Sequence, residues 1–196
     1  MVATEHTPNP NTLKFLPGKK VSDVGPIEFL KNDKTIKISL AKNILSIEGT
    51  VMVFFGENFI TVKKKKNLNW DNLKHGIISE INDYYSKGND VVVSKDSRLE
   101  KVLSQSASDS KPIQSNETIK KINEVLDSKI RPTVARDGGD ITFKSFADGV
   151  VTVELKGSCS GCPSSIMTLK QGVQNLLCHY IPEVKSVEAV NQCQKK

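Results

Sequence analysis

The sequence predicts an α+β protein of two small domains joined by a flexible linker. A strand-rich pattern followed by an amphipathic helix fills the first half, and a helix–hairpin–helix–strand pattern fills the second. Between them, residues 89–115 include no aromatic residue, and the segments 94–97 and 104–112 are small and polar. We therefore expect domains at 1–88 and 116–196, with a linker at 89–115 that carries a short helix near 99–103.

The first domain is predicted to be an antiparallel sheet with packed helices. Its clearest signal is a hairpin whose strands, 50–55 and 59–62, flank a short glycine-containing loop. A short strand at 12–16, a short apolar run at 27–30 and a short helix at 40–45 are also expected. A longer helix should begin after the cap Asn69 and end at Gly88. Its apolar residues recur at steps of three and four and are Trp70, Leu73, Ile77, Ile81 and Tyr84.

The second domain is predicted to run α-β-β-α-β. A helix capped at residue 115 or 116 carries an apolar face as far as Ile130, and Pro132 should break or bend it. A turn at 137–140 precedes two strands, 141–144 and 151–155, that alternate around Asp148-Gly149 and predict a hairpin. A helix with apolar residues from 166 to 177 and a last strand at 184–190 complete the domain.

The second strand of that hairpin leads directly into a C-x-x-C motif formed by Cys159 and Cys162. Gly157 and Gly161 free the backbone on either side, and Pro163 suits the first position of the following helix. Cys162 would then be the N-cap, where the helix dipole and unpaired N–H groups stabilise an anion. The loop is therefore expected to favour thiolates, which bind metals or react.

Four interpretations of the motif follow from its chemistry. The pair could hold half of an iron–sulfur cluster, half of a zinc site, or a redox disulfide of the thioredoxin kind, or it could be two buried cysteines without chemistry. A thioredoxin-type pair follows a strand of a parallel βαβ unit, whereas here the preceding strand belongs to an antiparallel hairpin. This observation argues against the redox interpretation without deciding the matter.

A cluster or structural zinc normally takes four protein ligands, and one chain offers too few near the motif. Cys178 lies 16 residues beyond Cys162 along a predicted helix, which places it about 24 Å away. Cys193 falls in a polar tail, and His179 is expected to be a surface or packed histidine. Two copies related by a twofold axis would supply four thiolates. A cluster held in this way would be lost when the copies part, which suits a carrier.

Composition excludes other classes of partner. The net charge of +6 is spread along the chain, and its one block, Lys63–Lys66, lacks interleaved aromatic residues, so we expect no nucleic-acid binding. No apolar run approaches the roughly 20 residues of a membrane span, so we expect no membrane partner.

The four cysteines are too few for a disulfide framework. The N-terminus has no secretory or transit pattern, so we expect a bacterial cytoplasmic protein, or a mitochondrial matrix protein whose presequence has been removed.

Several motifs closely resemble a known family. The segments in the second half are Ile130-Arg131-Pro132, Asp137-Gly138-Gly139-Asp140-Ile141, Phe146-Ala147-Asp148-Gly149, Gly157 to Ser165, Thr168-Leu169-Lys170 and Ile181-Pro182-Glu183-Val184. They resemble the C-terminal NifU domain of the Nfu-type iron–sulfur proteins. In the first half, Thr7 to Phe15, Ser39-Leu40-Ala41 and Phe59-Ile60-Thr61-Val62 resemble the N-terminal domain of mitochondrial and alpha-proteobacterial members.

The resemblance implies a carrier or scaffold rather than an enzyme. It implies that Cys159 and Cys162 are cluster ligands, that a [4Fe-4S] cluster, or a [2Fe-2S] cluster, is bound between two subunits of a homodimer, and that the cluster passes to apoproteins. Upstream assembly proteins would be the donors. The N-terminal domain would act as a recognition or regulatory module.

Overall fold

The computed structural model describes residues 1–34, 36–93, 116–160 and 163–190, with the side chains of 116 and 163–165 excepted. The chain divides into two compact units, Met1–Asp109 and Ser110–Lys196. Each unit has its own hydrophobic core. The predicted short helix near 99–103 lies outside the described residues.

The first unit is built on a five-stranded antiparallel sheet in the order β1-β2-β5-β4-β3. The strands are β1 Ala3–His6, β2 Thr12–Leu16, β3 Ile27–Leu30, β4 Thr50–Phe55 and β5 Ile60–Lys64. The predicted hairpin is confirmed as β4 and β5, which pair from Phe55 opposite Ile60. Strands β2, β4 and β5 are buried on both faces: Phe15, Val53 and Val62 are fully buried on one face of the sheet, and Phe54 and Thr61 are fully buried on the other.

Two helices pack on this sheet, α1 at Ser39–Ser46 and α2 at Trp70–Ser86. The predicted apolar face of α2 is confirmed, since Leu73, Ile77 and Ile81 are buried and Trp70 meets Phe15 edge-on at 6.5 Å between ring centroids. Asn69 precedes the helix as expected, but its side chain makes no capping hydrogen bond.

The first unit extends beyond residue 88, where the linker was expected to begin. Val92 and Val93 are buried, and the backbone N–H groups of both donate to the carbonyl oxygen of Val21 at 3.0 Å. Composition does not reveal this short segment, because it pairs with a distant part of the chain through a single parallel bridge between Ser22 and Val93. The rest of the predicted linker lies outside the described residues.

The second unit opens with a helical stretch that continues through Pro132. It consists of α3 Asn116–Val125, a π-helical turn Leu126–Ile130 and α4 Arg131–Arg136. The N–H group of Arg131 donates to the carbonyl oxygen of Leu126, a wider spacing than in an α-helix. Pro132 lies at the start of α4, where its missing N–H costs little. The predicted break is therefore a change of helical pitch.

A three-stranded sheet in the order β6-β7-β8 carries the rest of the second unit. The strands are β6 Gly139–Ala147, β7 Val150–Gly157 and β8 Ser186–Val190, and α5 spans Pro163–Tyr180. The hairpin turn is confirmed, with φ of 52° at Asp148 and 82° at Gly149. The two units therefore confirm the predicted α+β class and the α-β-β-α-β order of the second domain.

Candidate metal centre

The candidate centre is the loop that joins β7 to α5. Gly157 ends β7 with a φ of 72°, a conformation that favours glycine. The backbone N–H and the hydroxyl of Ser160 both donate to the Gly157 carbonyl oxygen, at 3.2 and 2.8 Å. The helix begins at Pro163, as predicted. Residues 161 and 162 lie outside the described residues, so the assignments of Cys162 as N-cap and as ligand stay predictions.

The start of the loop is fastened to the turn between α4 and β6. The Ser158 hydroxyl donates to the Asp137 carbonyl oxygen, and the Ser158 N–H donates to the Gly138 carbonyl oxygen at 3.2 Å. Ser158 itself is buried. The Asp-Gly-Gly-Asp sequence thus forms a turn at 137–138 and then enters β6 at Gly139, which brings β6 beside the cysteine loop.

The structure places Cys159 inside the core of the second unit, with 5% of its surface exposed. Gly139 faces it directly. A β-carbon built on Gly139 would lie 2.8 Å from Sγ of Cys159 and 2.7 Å from the carbonyl oxygen of Lys156, both closer than real contacts allow. A glycine at position 139 is therefore what gives the Cys159 side chain its room.

Burial also decides the protonation of this thiol. It raises the pKa of Cys159 to about 11, with smaller opposition from the hydrogen bond to Ser158 and smaller support from Asp137 and Asp140. Burial therefore favours the neutral form of Cys159 in this position and gives no support there to the expectation that the loop favours thiolates. That expectation was based on the helix N-terminus beside Cys162, whereas the core surrounds Cys159.

An ion pair between α4 and β6 lies next to the same turn, with its carboxylate partner buried. Asp140 is buried, its pKa is raised by burial, and its Oδ1 lies 3.5 Å from Nε of Arg131. Arg131 also donates from Nε to the Ile141 carbonyl oxygen at 3.1 Å. Arg131 therefore fastens the start of α4 to the start of β6, the strand that carries Gly139.

Cys178, the other described cysteine, is not placed to complete a ligand set with Cys159 in one copy. Cys178 is half-buried near the far end of α5, and the helix is unbroken from Pro163 to Tyr180. At about 1.5 Å of rise per residue, the 15 steps from Pro163 to Cys178 span about 22 Å of this helix, and the expected separation of Cys178 from Cys162 stays a prediction. His179 packs against Tyr180 at 5.1 Å between ring centroids. Within the described ranges, no three His, Cys, Asp or Glu residues are grouped to hold a metal ion. Cys193 lies outside those ranges.

The surroundings of the motif differ from the expectation in one respect. Strand β7 pairs with β8 in parallel, and α5 is the crossover between them. The loop therefore does lie at the end of a strand in a β-α-β unit, although β7 also pairs antiparallel with β6. The strand topology therefore argues less strongly against a redox pair than the sequence pattern suggested. The sequence pattern shows the hairpin before the motif, whereas β8, the parallel partner of β7, comes after the motif in the chain.

Comparison with known proteins accounts for both units. Residues 2–88 match the model "Scaffold protein Nfu/NifU N terminal", and residues 122–188 match the NifU-like domain. The human protein named NFU1 iron-sulfur cluster scaffold homolog, mitochondrial, is 44% identical over 190 residues, which are 96% of this chain and 71% of that protein. The chain belongs to the Nfu/NifU family.

Further Nfu/NifU relatives include the Arabidopsis thaliana NifU-like protein 4, mitochondrial, 43% identical over 95% of this chain. The chain spans 65% of that relative's length. A solution NMR structure of a NifU-like protein from Saccharomyces cerevisiae matches with 26% identity and a TM-score of 0.45, over 48% of this chain and 85% of that one.

Three residues around the Nfu/NifU site escaped the sequence reasoning. They are Gly139, Arg131 and Asp140, whose motif positions predict no role, yet Gly139 makes room for Cys159 and the other two fasten the strand that carries Gly139. The available signal was the pair of consecutive glycines in Asp-Gly-Gly-Asp, since a tight turn at 137–138 explains Gly138 and leaves Gly139 without a turn role. A glycine that no turn requires indicates a close approach of another group.

Proposed function

We propose that this Nfu/NifU protein is an iron–sulfur cluster carrier. Two copies hold one [4Fe-4S] cluster through Cys159 and Cys162 of each, and the cluster is cargo that passes to apoproteins. The observation that carries the proposal is the C-x-x-C at the junction of β7 and α5, within the NifU-like match of a chain 44% identical to a protein named as an iron–sulfur cluster scaffold.

The ligand count supports the sharing of the cluster by two copies. An iron–sulfur cluster is usually held by four cysteine thiolates. The described part of the chain offers Cys159 and, remote from it on α5, Cys178. With Cys162 as a second ligand from the same loop, a symmetry-related copy supplies the remaining two.

Such a centre suits transfer rather than retention. The ligands come from one short loop of each copy, so separation of the copies leaves two thiolates on each side and frees the cluster for a recipient. Recipients are apoproteins that present cysteine thiolates, and donors are upstream assembly proteins. No enzymatic step is needed, because thiolate ligands exchange one for another. The first unit would act as a recognition or regulatory module.

The compartment we propose is a reducing one, the mitochondrial matrix or the bacterial cytoplasm. The relatives quoted above are mitochondrial by name. Among the described residues, no helix combines the length and the apolarity needed to cross a bilayer. Nucleic acid is not proposed as a partner, because the mild positive charge is spread along the chain.

Anaerobic reconstitution with ferrous iron and sulfide tests this function. We expect a brown dimer whose visible and Mössbauer spectra identify a [4Fe-4S] cluster, and which activates a [4Fe-4S]-dependent apoenzyme on mixing. Cys159→Ser and Cys162→Ser should each abolish the colour, whereas Cys178→Ser should keep it. A colourless wild-type monomer, or spectra of a [2Fe-2S] cluster alone, would contradict the proposal or its cluster type.

A thiol–disulfide oxidoreductase is the second candidate, because the parallel pairing of β7 with β8 weakens the topological argument against it. Insulin reduction measured with an iron chelator present separates the two functions. The carrier should show no activity above that of Cys159→Ser. Metal analysis of protein purified without air tests the third alternative, a zinc-bound interaction module. Iron in the purified protein would exclude that module, whereas stoichiometric zinc without iron would support it.

A further inference from the structure

We propose that Gly139 is a positioning residue for the cysteine ligand, because it opens a pocket in the core that stores the Cys159 side chain until a cluster is bound. The storage itself is a property of this fold. Its consequence for cluster uptake rests on the proposed function.

The pocket is defined by contacts on three sides. Sγ of Cys159 lies where a β-carbon on Gly139 would come within 2.8 Å of it, so any larger residue at 139 would occupy the same space. The Cys159 side chain also belongs to the hydrophobic cluster of the second unit. The Ser158 hydroxyl approaches the same sulfur at 3.9 Å. The sulfur is thus surrounded by strand, core and loop.

The backbone bonds of the loop hold the side chain in this pocket. Ser158 is fastened through its hydroxyl and its N–H to Asp137 and Gly138, the residues just before Gly139. The turn at 137–138 therefore leads into Gly139, which has no side chain, and also accepts the hydrogen bonds of Ser158, the residue before Cys159. These hydrogen bonds align the Cys159 side chain with the space beside Gly139.

A buried sulfur cannot bridge to a second copy of the chain. Cys159 is 5% exposed, whereas a cluster shared by two copies needs its ligands at the surface where the copies meet. Cluster uptake therefore requires the Cys159 side chain to leave the pocket at Gly139. Storage protects the thiol from oxidation and alkylation, which act on exposed thiolates.

The direct test is the alkylation rate of Cys159 in the full-length protein, treated with a chelator and kept reduced. A Cys162→Ser background isolates Cys159, because both cysteines fall on one tryptic peptide. The half-buried Cys178 on a separate peptide is the internal reference. With iodoacetamide and mass spectrometry, we expect Cys159 to react at least about tenfold more slowly than Cys178. Equal rates would overturn the proposal.

Substitution at the pocket gives the second comparison. Gly139→Ala should speed the alkylation of Cys159 at least about tenfold, because the added methyl displaces the sulfur. The matched control is Gly172→Ala on α5, where an added β-carbon meets nothing within 4 Å and the rate should not rise. Gly149→Ala, at the opposite end of the hairpin, controls for general destabilisation. An acceleration by Gly139→Ala no greater than that by Gly149→Ala at similar stability would contradict storage.

A second variant keeps the proposal testable if Gly139→Ala does not fold, since its methyl also meets the backbone oxygen of Lys156. Cys159→Ala removes a buried sulfur, so it should lower the melting temperature of the second unit by about 4–8 °C. An unchanged melting temperature would show that the side chain is not stored. Failure of the wild-type protein to take up iron and sulfide, with the alkylation results as expected, would refute the carrier function and leave the storage intact.

Discussion

Nε of Arg131 lies 3.5 Å from Oδ1 of Asp140, a residue of which 6% is exposed. The other carboxylate oxygen of Asp140 is buried without a hydrogen-bond partner among the described residues. The guanidinium also reaches Asp127 at 3.0 Å and the Ile141 carbonyl oxygen at 3.1 Å. One arginine therefore joins the helical stretch to the start of β6, where a carboxylate is held away from water.

Arg131→Met should destabilise the second unit by about 2 kcal/mol, because it leaves the Asp140 carboxylate buried and poorly compensated. The value lies below that of a fully buried pair because the Arg131 side chain is 39% exposed. Hydrogen exchange of β7 amides measures the effect. Trp70, the one tryptophan, lies in the first unit and reports on that unit instead.

Adding Asp140→Asn to Arg131→Met should recover most of this loss, since the uncompensated charge is then absent. If the double variant is as unstable as the sum of the two single variants, the ion pair does not contribute as described, and Arg131 acts through packing alone.

The stability of the second unit should fall as the pH rises from about 9 to about 11. Burial raises the pKa of Cys159 from 9.0 to about 11, so in this window the folded chain keeps a proton that the unfolded chain releases. The contribution of the protonated Cys159 thiol to the free energy of unfolding is therefore fully present below pH 9 and is lost near pH 11. The whole loss amounts to about 3 kcal/mol.

Urea unfolding followed by circular dichroism at pH 8 and pH 10.5, in excess reductant, measures this dependence. Comparison with Cys159→Ala removes the effect of lysine and tyrosine titration, which both proteins share. Equal losses of stability in the two proteins would show that the Cys159 thiol is not desolvated.

Gly149→Ala should destabilise the second unit by about 1–2 kcal/mol. Gly149 has a φ of 82°, and an added β-carbon would lie 2.9 Å from the Lys185 side chain. Gly172→Ala is the matched control and should instead stabilise the unit by about 0.5–1 kcal/mol, because α5 gains a better helix former in open space. Hydrogen exchange of β7 amides compares the two variants, and an unchanged stability of Gly149→Ala would contradict the hairpin geometry.

The helices and strands whose apolar residues recur at a regular spacing were predictable from the sequence, and so was the hairpin turn. The β4–β5 hairpin, the apolar face of α2 and the turn at Asp148-Gly149 follow from alternation, helical spacing and a dipeptide that accepts positive φ. The continuation of the helix through Pro132 was not predictable, because a π-helical turn depends on packing and has no sequence period of its own.

The chemistry of the site was predictable only in part. The spacing of Cys159 and Cys162 indicates metal or redox chemistry, but it carries no information on burial. The pocket at Gly139 arises because β6 and β7 pair Gly139 with Gly157, a contact between residues 18 apart in the chain. The parallel partner of β7 was missed for the same reason, since β8 reaches it only after the crossover through α5.

Native mass spectrometry of the anaerobically reconstituted protein tests the central claim most directly. Sharing of the cluster by two copies predicts one species with two chains and one [4Fe-4S] cluster, and no cluster on single chains. Cys159→Ser should remove that species and leave cluster-free chains. A cluster carried by a single chain, or a Cys159→Ser variant that still forms the two-chain species with its cluster, would contradict the account.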